Sequence, residues 1–393
     1  MPSKIKTTTN KQLDILKLFT ENTDIIVIDF LRNYYYESFV KYTINFSFYK
    51  SVKIIEICNG NLSQVIDSFP PLLEKLILRN NCITELPSFP STLIELDISY
   101  NNLKIIPSLL NTNLKSIICS CNYISKLVEL PNTLEELDCD INNIKDLPTL
   151  PINLKLLSFN YNRIETLPLL PKSLNYIYGS SNYLTDVTQI KNLPNLLGID
   201  ISKNSIYEIP SLSDSSYLRY LNCSKNNINN LPILPDSLIE LKCGTNKLEK
   251  LENLPEELKM LDFELNNIKH VKKFPRKLKE LNCSHNPIEY LTLPNNLRYL
   301  NCEFNNLKEI PLITDKLKKL ECIGNKAITF QDKNAWLTIS KFKRSYYINK
   351  FGKKLENYYM KNIRNKQINL ELLYSPDLDF YKMKWNQVTL KYI

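Results

Sequence analysis

The chain has 393 residues, 43% of them apolar and 23% charged, with a formal net charge of +9. It contains no run of about 18 apolar residues that could span a membrane, and its N-terminus lacks the apolar stretch of roughly 7–15 residues that marks a secretory signal. Six glycines and two histidines leave little material for a phosphate-cradling loop or a histidine base, so no enzyme is expected.

Residues 1–51 carry no repeat and are assigned to an N-terminal cap. KQLDILKLF (11–19) and FLRNYYYESFVKY (30–42) space their apolar residues nearly as a helix does, and the β-branched run DIIVID (24–29) lies between them. Covering the apolar end of the region that begins at residue 52 is the simplest role. An adaptor segment that docks ubiquitin-ligase machinery is the alternative, although the Leu-Pro opening of an F-box is absent.

From residue 52 to about 329 the sequence repeats every 19 to 22 residues. Units open at Val52, Leu73, Leu93, Leu114, Leu134, Leu154, Leu174, Leu196, Leu218, Leu238, Leu258, Leu278, Leu297 and Leu317. Position 4 is Leu or Ile in all fourteen, and position 9 is Asn in thirteen, with Gly60 the exception. A period of this length is architecture: one elongated solenoid in place of the two or three domains that length alone suggests. Side chains alternate along a strand, so positions 4 and 6 are expected to face inward and positions 3, 5 and 7 outward. The Asn column then satisfies backbone groups where the chain leaves the strand. In LPTLPINL (147–154) and LPLLPKSL (167–174), prolines three residues apart remove backbone donors and disfavour helix. The return half of each unit is therefore expected to be extended or polyproline-like. Three units spoil that phrase, and the solenoid is expected to be irregular between residues 185 and 220.

The pattern L-x-x-L-x-L-x-x-N-x-L with an internal L-P-x-L-P resembles the short class of leucine-rich repeat found in effectors of Yersinia, Shigella and Salmonella. It also resembles the leucine-rich repeat proteins of amoeba-infecting giant DNA viruses. A chain with two alanines and much Asn, Ile, Lys and Tyr leans toward the viral group. The resemblance implies a mainly β solenoid, a curved parallel sheet with small helical or mixed caps, and host-interaction roles. Some effectors of this class add a ubiquitin ligase with a nucleophilic cysteine, but no cysteine follows Cys322 here.

Ten cysteines could suggest metal or disulfides. Seven of them, Cys119, Cys139, Cys223, Cys243, Cys283, Cys302 and Cys322, occupy position 6, where a thiol acts as a small apolar residue. No cofactor or metal is expected, and so many free thiols suit a reducing compartment, the cytoplasm (of a host cell, if the protein is viral).

Positions 3, 5 and 7 carry thirteen acids and four bases, which makes the expected concave face acidic. Near its middle lie Tyr161, Tyr176, Tyr178 and Tyr220, beside Asp138, Asp140 and Asp200. These seven residues are the candidate site for a protein partner, one that presents basic residues around an apolar centre. Position 2 reverses the sign with Lys53, Lys115, Lys155, Arg219, Lys259, Lys279, Arg298 and Lys318.

Residues 330–393 are assigned to a C-terminal cap or tail. Between 333 and 366 there are ten Lys or Arg against Glu356, with apolar residues at near-helical spacing. A helical cap with a basic face is expected. Binding of nucleic acid or an anionic surface through this stretch is the alternative function.

Overall fold

The computed structural model describes residues 4–7, 23–30 and 42–325, apart from 47, 67, 310, 313 and 315. Of the helical stretches expected at 11–19 and 30–42, residues 11–19 and 31–41 lie outside the described residues, as does everything expected of 330–393, while Phe30 ends one strand and Tyr42 begins another.

The described chain is a stack of coils, each contributing one short parallel strand. Among the described residues, sixteen strands form one sheet in nearly sequential order. The repeat strands are three residues long after the first: Glu136–Asp138, Leu156–Ser158, Tyr176–Tyr178, Gly198–Asp200 and Tyr220–Asn222 stand side by side. Their register keeps each column in line, with Leu137, Leu157, Ile177, Ile199 and Leu221 paired in succession. All of these position-4 side chains are fully buried, as are Phe159, Cys139 and Cys223 at position 6. The fold is thus the mainly β, repeat-built solenoid that the columns imply.

The β-branched run of the N-terminal segment forms a strand, Ile25–Phe30, that pairs in parallel with Ile54–Cys58. Lys4–Thr7 adds a further strand outside it. Ile26 and Ile28 continue the buried column. Residue 52 therefore marks where the periodic columns begin; the sheet itself begins earlier.

The return half explains the proline phrase. Pro151 O accepts the N–H of Leu154 at 3.1 Å, and Pro171 and Pro235 do the same for Leu174 and Leu238. The second proline thus opens a four-residue turn that delivers the chain to its next strand, and its missing N–H is not needed there. Leu147, Leu150 and Leu167 fill the space beneath. A 3-10 turn at Thr188–Ile190 interrupts this plan in one of the units expected to be irregular.

Asn162 shows how coils are joined. Its Nδ2 donates to Cys139 O in the preceding coil at 3.0 Å and to Phe159 O in its own at 3.1 Å. Its Oδ1 accepts the N–H of Ile144 at 3.0 Å. The other twelve asparagines of the column repeat this pattern, and all but Asn204 and Asn246 are buried. Each buried backbone group left open would cost roughly 1–3 kcal/mol.

Position 8, just before the asparagine, is left-handed in every unit. Asn59, Tyr100, Ile141, Tyr161, Lys203, Thr245 and His285 all have φ between 53° and 62°. Only the last unit places a glycine there, Gly324. A non-glycine residue in this region costs about 1–2 kcal/mol, which the asparagine hydrogen bonds following it offset.

Candidate functional site

The exposed strand face is organised in rows, one residue per strand. The position-3 row runs Glu136, Leu156, Tyr176, Gly198, Tyr220 and Glu240, and the position-5 row runs Asp138, Ser158, Tyr178, Asp200 and Asn222. Neighbouring strands lie about 4.8 Å apart. This register brings Tyr176, Tyr178 and Tyr220 together around Gly198. Tyr176 and Tyr178 stack, with ring centroids 6.0 Å apart and planes 11° from parallel. A Cβ added at Gly198 would stand 3.1 Å from Tyr176 Cδ1 and 3.7 Å from Tyr220 Cδ1. The glycine thus lets the two rings close over its backbone.

Tyr161 is not part of this cluster. It occupies position 8, on the left-handed turn beyond the strand, where period-two alternation has ended. Its ring lies 5.5 Å from Lys203 Nζ, which also donates to its hydroxyl at 3.4 Å. With Tyr100 and Ile141, each about half exposed, it forms an apolar row along the edge of the acidic tract.

The aspartates have structural duties as well as charge. Asp200 Oδ1 accepts the N–H and hydroxyl of Ser202 at 2.9 and 2.6 Å, while Oδ2 accepts from Asn222 Nδ2 and the Tyr220 hydroxyl. Asp200 therefore holds Tyr220 in place and ends its own strand. Asp138 Oδ1 accepts the N–H of Asp140 at 3.0 Å, the same strand-ending bond. Asp140 binds the Ser158 hydroxyl and both the backbone and side-chain nitrogens of Asn160.

Position 7 departs from the expected alternation. Ser99, Ser120, Ser202 and Ser284 are buried, and Asn160 is half-buried where full exposure was expected. The strand ends at position 5, so the next outward step falls inside the turn.

Electrostatically the face stays acidic. Three of its four bases, Lys75, Lys242 and Lys319, are each taken up by a glutamate of the same face. Among the described residues, Asp97, Glu136, Asp138, Asp140 and Asp200 have no base within 4.0 Å. Burial, followed by the nearby charge of Asp140, pushes the Asp138 carboxyl above its usual range, against hydrogen bonds from Asp140 N–H and Ser120. Burial and then the charge of Asp200 raise the Tyr220 phenol. Lys242 Nζ already stands 5.5 Å from the centre of the Tyr220 ring.

Tyr299 repeats the position-3 arrangement six coils after Tyr176, counting along the strand order. Its hydroxyl donates to Glu321 at 2.8 Å, and Lys319 Nζ stands 4.9 Å from its ring. It is not among the residues expected from sequence, although the position-3 column carries the signal.

The position-6 thiols from Cys119 to Cys302 are inert. Burial drives Cys223 up to about 12 and raises Cys119 and Cys139, so they remain neutral thiols. Among the described residues no group of three or more His, Cys, Asp or Glu is placed to hold a metal. Among them also, no helix is long and apolar enough to cross a membrane.

Parallel three-residue strands, an asparagine ladder and a helix-poor return side define a leucine-rich repeat protein. Solved structures agree. YopM from Yersinia enterocolitica superposes with a TM-score of 0.57 at 30% identity, over 72% of this chain and 71% of that one. YopM from Yersinia pestis, described as a leucine-rich effector protein, gives 0.57 at 29% identity over 70% and 78%. A leucine-rich repeat protein of Leptospira interrogans gives 0.62 at 21% over 87% and 99%, a likeness of fold alone. The chain belongs to the leucine-rich repeat family, and the short bacterial class is the one it matches; the viral resemblance gains no support. No family model and no curated protein matches the chain.

Proposed function

We propose that the protein is a non-enzymatic interaction scaffold that binds a protein partner through the strand face around Tyr176, Tyr178 and Tyr220. One observation carries the reading: Tyr176 and Tyr220 close over the buried Gly198 and, with Tyr178 stacked on Tyr176, present an aromatic platform, flanked by aspartates that have no basic partner among the described residues. Tyrosines supply rigid contact area with a polar tip, and desolvated tyrosine clusters dominate the energetics of many interfaces. The acids set the sign of the partner. A basic surface with an apolar centre is attracted from a distance by Asp97, Glu136, Asp138 and Asp140, then anchored on the rings. Asp200 acts through Tyr220, which it holds. Tyr161 contributes from the flanking turn, as an edge contact.

The test uses the full chain as bait and the partner it captures. Tyr176→Ala with Tyr178→Ala is expected to cost about 2 kcal/mol or more in affinity. Asp138→Asn with Asp140→Asn is expected to slow association and flatten its salt dependence. Equal binding by both variants and the original sinks the assignment to this face. A chain lacking residues 333–366 separates it from binding through the basic tail, because the face predicts that the partner is retained.

A further inference from the structure

We infer that the strand-start edge around Lys279 and Arg298 is a binding site for a small, multiply phosphorylated anion. The inference is independent of the protein-binding face. The position-2 column changes its sign pattern along the solenoid. In the N-terminal half, bases alternate with acids and pair with them: Lys53 with Glu74 at 3.0 Å, and Glu135 with both Lys115 at 3.8 Å and Lys155 at 2.6 Å. From Lys259 onward the column is Lys259, Lys279, Arg298 and Lys318, four cations on consecutive coils. Among the described residues none of these four has a carboxylate within 4.0 Å.

The backbone fixes them close together. Lys279 N–H donates to Lys259 O at 2.8 Å, Arg298 N–H to Lys279 O at 2.7 Å, and Lys318 N–H to Arg298 O at 2.7 Å. Their backbones are thus held at adjacent-strand spacing, about 4.8 Å, so that four like charges leave neighbouring coils and repel. Elsewhere in the same column the chain avoids that arrangement. Here it also adds cations from the turn before each strand, so that Lys259, Lys277, Lys279, Asn296, Arg298 and Lys316 line a cleft of about 380 Å³. Two of the added side chains are braced: Lys277 pairs with Glu257, and Lys316 donates to Asn296 Oδ1 at 2.6 Å. Lys259, Lys279 and Arg298 keep their charges uncommitted.

These cations define the chemistry of the ligand. A single carboxylate cannot serve three uncommitted cations across adjacent coils, whereas a compact polyphosphate carries several charges within that span. An arginine fork binds phosphate oxygens in pairs, and flanking lysines add point charges. The cleft is of the size that holds small ligands, roughly 300–1,000 Å³. A nucleic-acid strand fits less well, because Glu240, on the coil before Lys259, and the other acids of the adjoining strand face repel an extended phosphate backbone.

The experiment titrates the full chain with inorganic tripolyphosphate and with inositol hexakisphosphate, by calorimetry. Vesicles of phosphatidylcholine with or without phosphatidylinositol bisphosphate are cosedimented in parallel. The double substitution Lys279→Gln, Arg298→Gln is expected to lose about tenfold or more in affinity. Lys115→Gln with Lys155→Gln, in the paired half of the column, is expected to bind as the original does. Without ligand, the Lys279→Gln, Arg298→Gln protein is expected to melt no lower than the original, since it sheds repulsion. Binding to the free polyphosphates alone assigns a soluble ligand, and binding to the bisphosphate vesicles as well assigns a lipid headgroup. The proposal is overturned if the original binds none of these probes, or if the Lys279→Gln, Arg298→Gln protein binds them unchanged.

Discussion

Ser180 donates its backbone N–H to Asn160 Oδ1 at 2.7 Å, and this bond reveals a second ladder beside the asparagine column. Asn160 in turn receives support from Asp140, through its own N–H at 2.7 Å and its side-chain amide at 2.9 Å. Position 7 thus joins three coils through side chains, two residues before the buried Asn162, whose side chain binds backbone groups of its own coil and the preceding one. Asn162→Ala is expected to cost about 1–3 kcal/mol, since it opens buried carbonyls and the N–H of Ile144. Asn160→Ala is expected to cost about 1 kcal/mol, because one turn N–H and one carboxylate lose their partner. Lys145→Ala, at an exposed site with no such bonds, is expected to stay within about 0.5 kcal/mol. Denaturant unfolding of the three proteins checks the order. If Asn160→Ala matches Lys145→Ala, the second ladder carries no stability.

Ile141 offers a test of the left-handed column. It is half exposed and β-branched at φ 53°, the backbone region least suited to such a side chain. The first two units place Asn59 and Asn80 at the same position. Ile141→Asn is expected to stabilise by about 1 kcal/mol, because asparagine tolerates this conformation. A lower melting temperature for the variant shows that packing of Ile141 outweighs its backbone strain.

Asp138 yields a pH prediction. Burial raises its carboxyl in the folded protein above the unfolded value. The folded state therefore binds that proton more tightly, and the resulting stability is complete below the unfolded value and lost as pH rises through the folded one. At neutral pH the ionised group is a net cost. Asn222, Asn282 and Asn301 occupy the same position and make the same strand-ending bond. Asp138→Asn is thus expected to melt higher than the original at neutral pH. The gap should close on acidification through the carboxylate range. A gap that is constant with pH assigns the effect to packing instead of ionisation.

The periodic columns were legible because one requirement recurs in every coil. Each coil needs a buried Leu or Ile at position 4 and an amide at position 9, and no other residue meets either need as well. The left-handed turn was illegible for the opposite reason. Its side chain points to solvent, so Tyr161, Ile141 and His285 all serve, and only Asn59, Asn80 and Gly324 hint at the backbone. Alternation misplaced Ser202 and Asn160 because a three-residue strand stops before position 7. For the site, the acids and the position-3 and position-5 tyrosines could be read from spacing. Their arrangement around Gly198 could not, since it depends on which residues stand side by side in neighbouring coils.

The same side-by-side logic governs the core at Phe159 and Gly179. Both occupy position 6, on consecutive coils, where other units place Leu, Ile, Cys or, at Phe263, a second phenyl ring. A Cβ at Gly179 would lie 2.3 Å from Phe159 Cζ and 2.5 Å from Cε2, far inside contact distance. The phenyl ring fills the volume that the glycine vacates, so the two residues share one packing site. Gly179→Ala is expected to destabilise by about 1–3 kcal/mol through overpacking. Phe159→Leu alone is expected to destabilise too, by removing buried volume that nothing else fills. Combined, the two changes are expected to cost less than their sum, because a smaller residue at 159 makes room for the added methyl. Thermal or denaturant unfolding of the two single variants and the double variant completes the cycle. Strict additivity shows that the coils adjust independently, and that the ring and the glycine are not matched.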